Sequence, residues 1–232
     1  MNELKVSFTP TQEELNQLYN WTTFPQSNWS VIDKSFREGN LCIALIQNNV
    51  VGFFSYSLEA VSIFIKIAET SKNYQNKGIA KLIKSEIEKK FINTKYKAFY
   101  LYCEPKSSQF IWKKLGFDYF PEKAKGGSNE LIYMYSIFGN VAKLSTTNYE
   151  DFENQNSIEI WGAHNSKDQK PIFFSTLDCH LDGKTLLKPV LFFGNRDWKI
   201  RLKYNEKIFE GRYKDYDRSS EIYECFYIEK LK

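Results

Sequence analysis

Residues 67–80 read IAETSKNYQNKGIA, and this stretch decides the fold. An apolar strand ends at Thr70, polar residues 71–77 follow, and a helix opens at Gly78. Its apolar residues Ile79, Leu82, Ile83, Ile87 and Phe91 recur at helical spacing, which leaves Lys81, Lys84, Glu88 and Lys89 for the wet side. Gln75-Asn76-Lys77-Gly78-Ile79-Ala80 offers consecutive backbone N–H groups where a helix dipole has its positive end, a place suited to a phosphate or pyrophosphate. Gly78 lets the backbone approach closely, and small Ala80 leaves the first turn uncluttered. The glycines fit neither a Walker loop nor a dinucleotide fingerprint. Taken alone, the same residues also describe an ordinary strand–loop–helix joint.

The surrounding pattern alternates strands and helices. Residues 4–8 read as a strand. Residues 11–21 read as a helix opened by Thr11, with Glu14 at capping-box spacing. A second helix is expected over 30–37. Strands 41–47 and 50–58 join at Asn48-Asn49, a two-residue hairpin. Strand 60–70 sets Ile63, Ile65 and Ile67 on one face, with Phe64, Lys66 and Ala68 on the other. Beyond the helix at Gly78 come a strand over 97–103, a short helix over 107–115 ended by Gly116, and strands over 117–120 and 131–136.

This order of elements resembles the GNAT acetyltransferase superfamily over residues 4–137. Gln75-Asn76-Lys77-Gly78-Ile79-Ala80 matches its pyrophosphate motif (Arg or Gln, two residues, Gly, one residue, Gly or Ala). Phe110-Ile111-Trp112-Lys113-Lys114-Leu115-Gly116-Phe117 is similar to its second signature, an aromatic followed by Lys, one residue, Gly and Phe. The resemblance implies an α+β fold, a mixed central sheet flanked by helices. It also implies that acetyl-CoA is the co-substrate, with its pyrophosphate on the backbone of Gln75, Asn76, Lys77, Gly78, Ile79 and Ala80. The strand end at Ala68, Glu69 and Thr70 would pair with the pantetheine arm as a sheet edge pairs with a peptide. Ser108 and Trp112 fall on the same cofactor side, and Lys77 adds charge beside the phosphates.

The implied reaction is direct attack of an amine on the thioester, accelerated mainly by orientation. Glu69 is the best-placed carboxylate for a base, and it reads equally as a solvated or ion-paired strand residue. Where the family often carries a Tyr that protonates the thiolate, this chain has Trp112, whose indole N–H donates a hydrogen bond but gives up no proton at neutral pH. Pro105 stands where an Asn is often found. Either Tyr100, Tyr102 or Tyr119 substitutes, or water does, or the protein binds acyl-CoA without catalysis. Trp21, Phe24 and Trp29 sit where the family lines its acceptor pocket, and they also suit a core or lid.

From residue 157 onward the chain reads as strands only: 157–161, 171–177, 185–193, 198–204, 208–213 and 221–228, with turns at Asp182-Gly183, Gly194-Asn195 and Asn205-Glu206. Polar residues 139–156 separate the parts, so two domains are expected: 1–140 binding acetyl-CoA, and 145–232 as a small all-β sandwich or barrel of unknown role. In 198–204, WKIRLKY, apolar and basic residues alternate. With Tyr213, Tyr223 and Tyr227 nearby, that segment has the makings of a single-strand nucleic-acid platform. Glu206, Glu210, Asp215 and Asp217 neutralise it, and a solvated strand face is the expectation.

Composition sets the outer bounds. The 232 residues are 42% apolar, 17% aromatic and 26% charged, with eleven Gly and six Pro, which excludes a disordered chain. The net charge of +4 is too small to argue for a membrane or nucleic-acid surface. No apolar run approaches the ~18 residues of a membrane helix, and the start MNELKVSFTP lacks a signal peptide's apolar stretch. Cys42, Cys103, Cys179 and Cys225 form no CxxC pair. Reduced thiols in the cytoplasm are expected, with no disulfide framework and no metal site. His164 and His180 both lie late in the chain, so chemistry in the first half works without histidine. The expected function is an acetyl-CoA-dependent N-acetyltransferase acting on a primary amine of a small molecule or peptide. The alternative is a catalytically weak acyl-CoA-binding protein whose β domain is an interaction module. A transferase for RNA-bound or ribosomal amines is a third reading, and an oligomer is compatible with all three.

Overall fold

The computed structural model describes residues 4–121, 131–146, 155–162, 170–194, 196–217 and 225–232. The expected strand residues 221–224 with Tyr223, turn residue Asn195, His164 and part of the polar stretch 139–156 lie outside them. Contacts divide the chain into two compact units, Met1–Asp118 with Tyr133–Gly139, and Tyr119–Ile132 with Asn140–Lys232.

A seven-stranded mixed sheet, flanked by helices, orders its strands β1-β2-β3-β4-β5-β7-β6. These are β1 (Leu4–Ser7), β2 (Leu41–Ile46), β3 (Asn49–Glu59), β4 (Ser62–Thr70), β5 (Ala98–Cys103), β6 (Asp118–Tyr119) and β7 (Ile132–Ile137). Strands β1 to β4 run antiparallel to their neighbours, while β4 and β5 are parallel. The first helix, α1 (Gln12–Trp21), starts as its sequence requires. The Thr11 hydroxyl accepts from the Glu14 amide at 3.2 Å, and the Glu14 carboxylate accepts from the Thr11 amide at 2.6 Å. With α2 (Gln26–Arg37) it covers one face of the sheet, packing Leu15, Leu18 and Ile32 onto Leu41, Ile43, Val50, Phe53 and Ile67. The third helix, α3 (Ile79–Phe91), buries Ile79, Ile83, Ile87 and Phe91, and α4 is the short Gln109–Lys114.

Several expectations are corrected. Helix α2 begins at Gln26 rather than residue 30, because its polar first turn hides it from hydrophobic periodicity. The β2–β3 turn is Gln47-Asn48, both with positive φ, one residue ahead of Asn48-Asn49. Lys84 is buried rather than wet. Its ammonium pairs with Glu88 and lies 5.5 Å and 5.6 Å from the ring centres of Phe99 and Phe117, so the aromatic faces take the place of water. Finally, the C-terminal part is not strands only, since it contains the four-residue helix α5 (Tyr213–Tyr216).

In the second unit, β8 (Ser157–Trp161), β9 (Phe173–Thr176), β11 (Lys199–Tyr204) and β12 (Lys207–Arg212) form one antiparallel sheet. Strands β10 (Thr185–Phe193) and β13 (Cys225–Lys230) form another. Phe173, Phe192, Trp198, Tyr213 and Phe226 pack with tilted or edge-on rings between elements of the two, so the described residues of the β part form two sheets rather than a closed barrel. Ile200, Leu202 and Tyr204 of β11 are buried, as the alternation requires. The opposite face of β11 is not a solvated cationic one. The Glu159 carboxylate, fully buried, pairs with Arg201 at 3.0 Å, and Lys203 lies 4.0 Å from it. Arg201 also reaches Glu210 and the ring of Trp161.

Candidate functional site

The parallel pairing of β4 with β5 covers Ser62↔Ala98, Ile63↔Phe99 and Phe64↔Tyr100, and β4 then runs six residues further to Thr70. Its other edge stays paired to β3 up to Gly52↔Thr70. From residue 65 onward, β4 therefore turns one edge of backbone N–H and C=O groups toward a partner that β5 does not supply. Ala68, Glu69 and Thr70 all lie on this stretch, which no other strand among the described residues pairs.

The chain leaves β4 at Ser71, whose amide donates to Val51 at 2.9 Å, makes a single 3-10 turn over Lys72–Tyr74, and reaches α3. Asn76 (φ 61°) and Gly78 (φ 80°) both take left-handed backbone. An L side chain is rarely at ease there, and Gly78 carries none. The first bond within α3 runs from Leu82 N–H to Gly78 C=O. The N–H groups of Ile79, Ala80 and Lys81 thus have no partner within the helix, and Gly78 caps it without a side chain. Gln75, Asn76, Lys77 and Gly78 are exposed, Ile79 is buried and Ala80 half-buried. Gln75 donates its side-chain amide to Thr70 C=O at 3.3 Å, and the Lys77 ammonium rests 5.0 Å from the ring centre of Tyr74. The helix start is held close to the sheet at Gly52, where a Cβ would stand 2.7 Å from Ile79 Cγ2 and 3.3 Å from Glu69 C=O.

Trp112 lies on α4 with its ring edge-on to Phe54 (5.7 Å) and Phe117 (5.1 Å), so its indole is packed against the sheet. The Ser108 hydroxyl is shut from solvent and makes no well-formed hydrogen bond. It is near enough to the Cys103 thiol to ease that thiol's pKa downward, against a larger rise from burial. Of the alternative tyrosines, Tyr100 donates to Glu59 at the β3–β4 hairpin, level with Phe64 and about 20 Å along the strand from Thr70. Tyr102 and Tyr119 are 39% and 41% exposed.

Glu69 is the residue whose surroundings differ most from the sequence reading. It is half-buried, and among the described residues it forms no ion pair. Its carboxylate accepts from the Thr22 hydroxyl (2.6 Å), the Thr23 hydroxyl (2.6 Å) and the Thr23 amide (3.1 Å and 3.2 Å to the two oxygens). Thr22 and Thr23, which the sequence reading passed over, stand at the end of α1 and 46 to 47 positions away, so no local motif announces them. Beside them, Trp21 and Phe24 pack on the core, Trp29 stacks on Tyr19 at 4.3 Å, and the Trp29 indole N–H donates to Phe24 C=O at 3.2 Å. The Tyr19 hydroxyl donates to Asp33 at 2.6 Å; burial first and that carboxylate second push its pKa up. Among the described residues, no three His, Cys, Asp or Glu gather as metal ligands, and no helix is long and apolar enough to cross a membrane.

Residues 3–117 match the family model of the acetyltransferase (GNAT) family. Similar solved structures include a GNAT-family acetyltransferase from Staphylococcus aureus Mu50, at 13% identity over 59% of this chain and 99% of that one, with a TM-score of 0.48. The PaiA N-acetyltransferase of Thermoplasma acidophilum, in complex with coenzyme A, is 14% identical over 59% and 99%, with a TM-score of 0.47. The ribosomal-protein-S18-alanine N-acetyltransferase of Escherichia coli is 10% identical over 64% and 100%, also at 0.47. No curated protein sequence matches the chain.

Proposed function

Since residues 3–117 belong to the acetyltransferase (GNAT) family, we propose that the protein is an N-acetyltransferase that uses acetyl-CoA and a primary amine of a small molecule or peptide. The observation that carries this reading is the free edge of β4 leading straight into the bare N–H groups of α3. A ligand with an amide-bearing arm and a pyrophosphate at one end matches both features at once. The backbone of Ala68 and Thr70 holds the arm, and the N–H groups at Gly78, Ile79 and Ala80 hold the phosphates. Lys77 contributes long-range attraction only, because it is exposed.

The co-substrate supplies an activated acetyl group. The amine nitrogen forms the new C–N bond as the C–S bond breaks; one proton leaves nitrogen and one arrives on sulfur. This chain's part is to align the two reactants and exclude competing geometries, a contribution of about 7–11 kcal/mol in well-oriented systems. Trp112, packed on Phe54 and Phe117, orders the floor beneath the thioester but delivers no proton. That same feature supports a second reading, an acyl-CoA-binding protein of weak activity whose β part is the interaction module.

Incubation with acetyl-CoA and a panel of small-molecule and peptide amines separates the two. Thiol release above the hydrolysis background, with the acetylated amine found by mass spectrometry, is the expected result. Binding of acetyl-CoA without thiol release from any amine in the panel would favour the second reading.

A further inference from the structure

A carboxylate offers about four lone-pair directions. In Glu69 three donors engage both oxygens: each oxygen receives one threonine hydroxyl at 2.6 Å, and the two share the single Thr23 amide at 3.1 Å and 3.2 Å. These donors belong to the corner between α1 and α2, while Glu69 itself is the penultimate residue of β4. The register pairs it with Phe53, whose side chain lies in the core beneath α1 and α2, so its side chain points to that face of the sheet. The corner is also held by the Thr22 amide donating to Leu18 C=O at 3.0 Å, by the indole bond of Trp29 to Phe24 C=O, and by the packing of Trp21 and Phe24 on the core; of these, neither hydrogen bond ties it to the end of β4.

From this geometry we infer that Glu69 is a positioning residue: its carboxylate clasps Thr22 and Thr23 and holds the α1–α2 corner over the open end of β4. It replaces the base that the sequence reading placed there. A proton acceptor needs a free lone pair facing the amine, whereas both Glu69 oxygens already face the corner. Short, charge-assisted bonds of this kind are the strong members of their class, and three donors from two adjacent residues fix a turn as one bond cannot. The functional consequence, that the acceptor-side wall is preformed, rests on the transferase reading. The clasp itself does not.

Hydrogen exchange at the Thr23 amide tests it directly, read in wild type, Glu69→Ala, Glu69→Gln and Thr22→Val/Thr23→Val. In Glu69→Ala the amide should exchange about tenfold faster or more, the change that losing a charge-assisted bond implies. In Glu69→Gln most protection should return, since the amide oxygen still accepts from Thr23 and the NH2 group donates to the Thr22 hydroxyl. Turnover with whichever amine the panel identifies should follow the same order: Glu69→Gln recovers a large part of what Glu69→Ala loses. The double threonine variant should lose turnover although its carboxylate is intact. Acetyl-CoA should still raise the melting temperature of all four proteins. Unchanged Thr23 exchange in Glu69→Ala overturns the clasp. Protected Thr23 with no turnover in Glu69→Gln, or full turnover in the double threonine variant, overturns the positioning role and restores the base. Absence of any acetyl-CoA shift in wild type would count against the transferase reading and leave the exchange result to decide the clasp.

Discussion

At the scale of single residues, burial does more than charge to set chemistry. Burial pushes the Cys42 thiol from 9.0 up to about 12, with Lys90 pulling slightly the other way. The folded chain thus keeps that proton where the unfolded chain has released it. Above pH 9 the unfolded state binds fewer protons, so Cys42's contribution is intact below pH 9 and lost as pH rises toward 12. Urea unfolding across that window should show falling stability, with a shallower fall in Cys42→Ala; parallel curves for the two proteins would contradict it. Trp112 poses the matching question for catalysis. Tyr in its place keeps an aromatic edge against Phe54 and Phe117 and adds a titratable hydroxyl. Trp112→Tyr should therefore leave turnover unchanged or raise it, wherever the chemical step limits the rate. A hundredfold loss with acetyl-CoA binding intact would mean that the indole shapes the acceptor pocket instead.

Among the elements, α3 is the one whose placement matters most, and Gly52 places it. A methyl group there meets Ile79 Cγ2 at 2.7 Å, on the first turn that presents the N–H groups. Gly52→Ala should cost about 1–3 kcal/mol by overpacking, read as a lower denaturation midpoint, and should weaken the acetyl-CoA melting shift as the helix start is pushed away. A midpoint equal to wild type would show that the helix shifts without strain. The start of α3 was legible in sequence because Gly78 and a clean apolar period mark it, and α1 because Thr11 and Glu14 form a local box. Helix α2 was legible only from its apolar second half, since Gln26, Ser27 and Asn28 carry no period. Lys84 and Glu159 were misread or missed for one reason: a charge on a pattern's polar face counts as wet until the packed partner is seen, here two aromatic rings and Arg201. In the candidate site, the phosphate-side loop is contiguous and was readable. The Glu69 clasp joins residues 46 to 47 positions apart and had no linear signature.

For the molecule as a whole, the two units pose a separable question. We propose that the cofactor function resides in residues 1–140 and that 145–232 is an accessory domain. A chain ending at Lys143 keeps every strand of the seven-stranded sheet. It should remain soluble, unfold cooperatively and bind acetyl-CoA, as a domain with its own core does; an insoluble or ligand-blind fragment would show that the β part completes the site. The central claim, that acetyl-CoA lies along β4 with its pyrophosphate on α3, is tested most directly by thermal melting of the full chain, wild type and Gly78→Glu, with and without the ligand. At ligand one hundred times the dissociation constant, wild type should gain about 2.7 kcal/mol, visible as a raised melting temperature. In Gly78→Glu the gain should vanish, because a carboxylate stands beside the bare N–H groups and left-handed backbone at φ 80° resists a side chain. A full melting shift in Gly78→Glu, or none in wild type, would contradict the account.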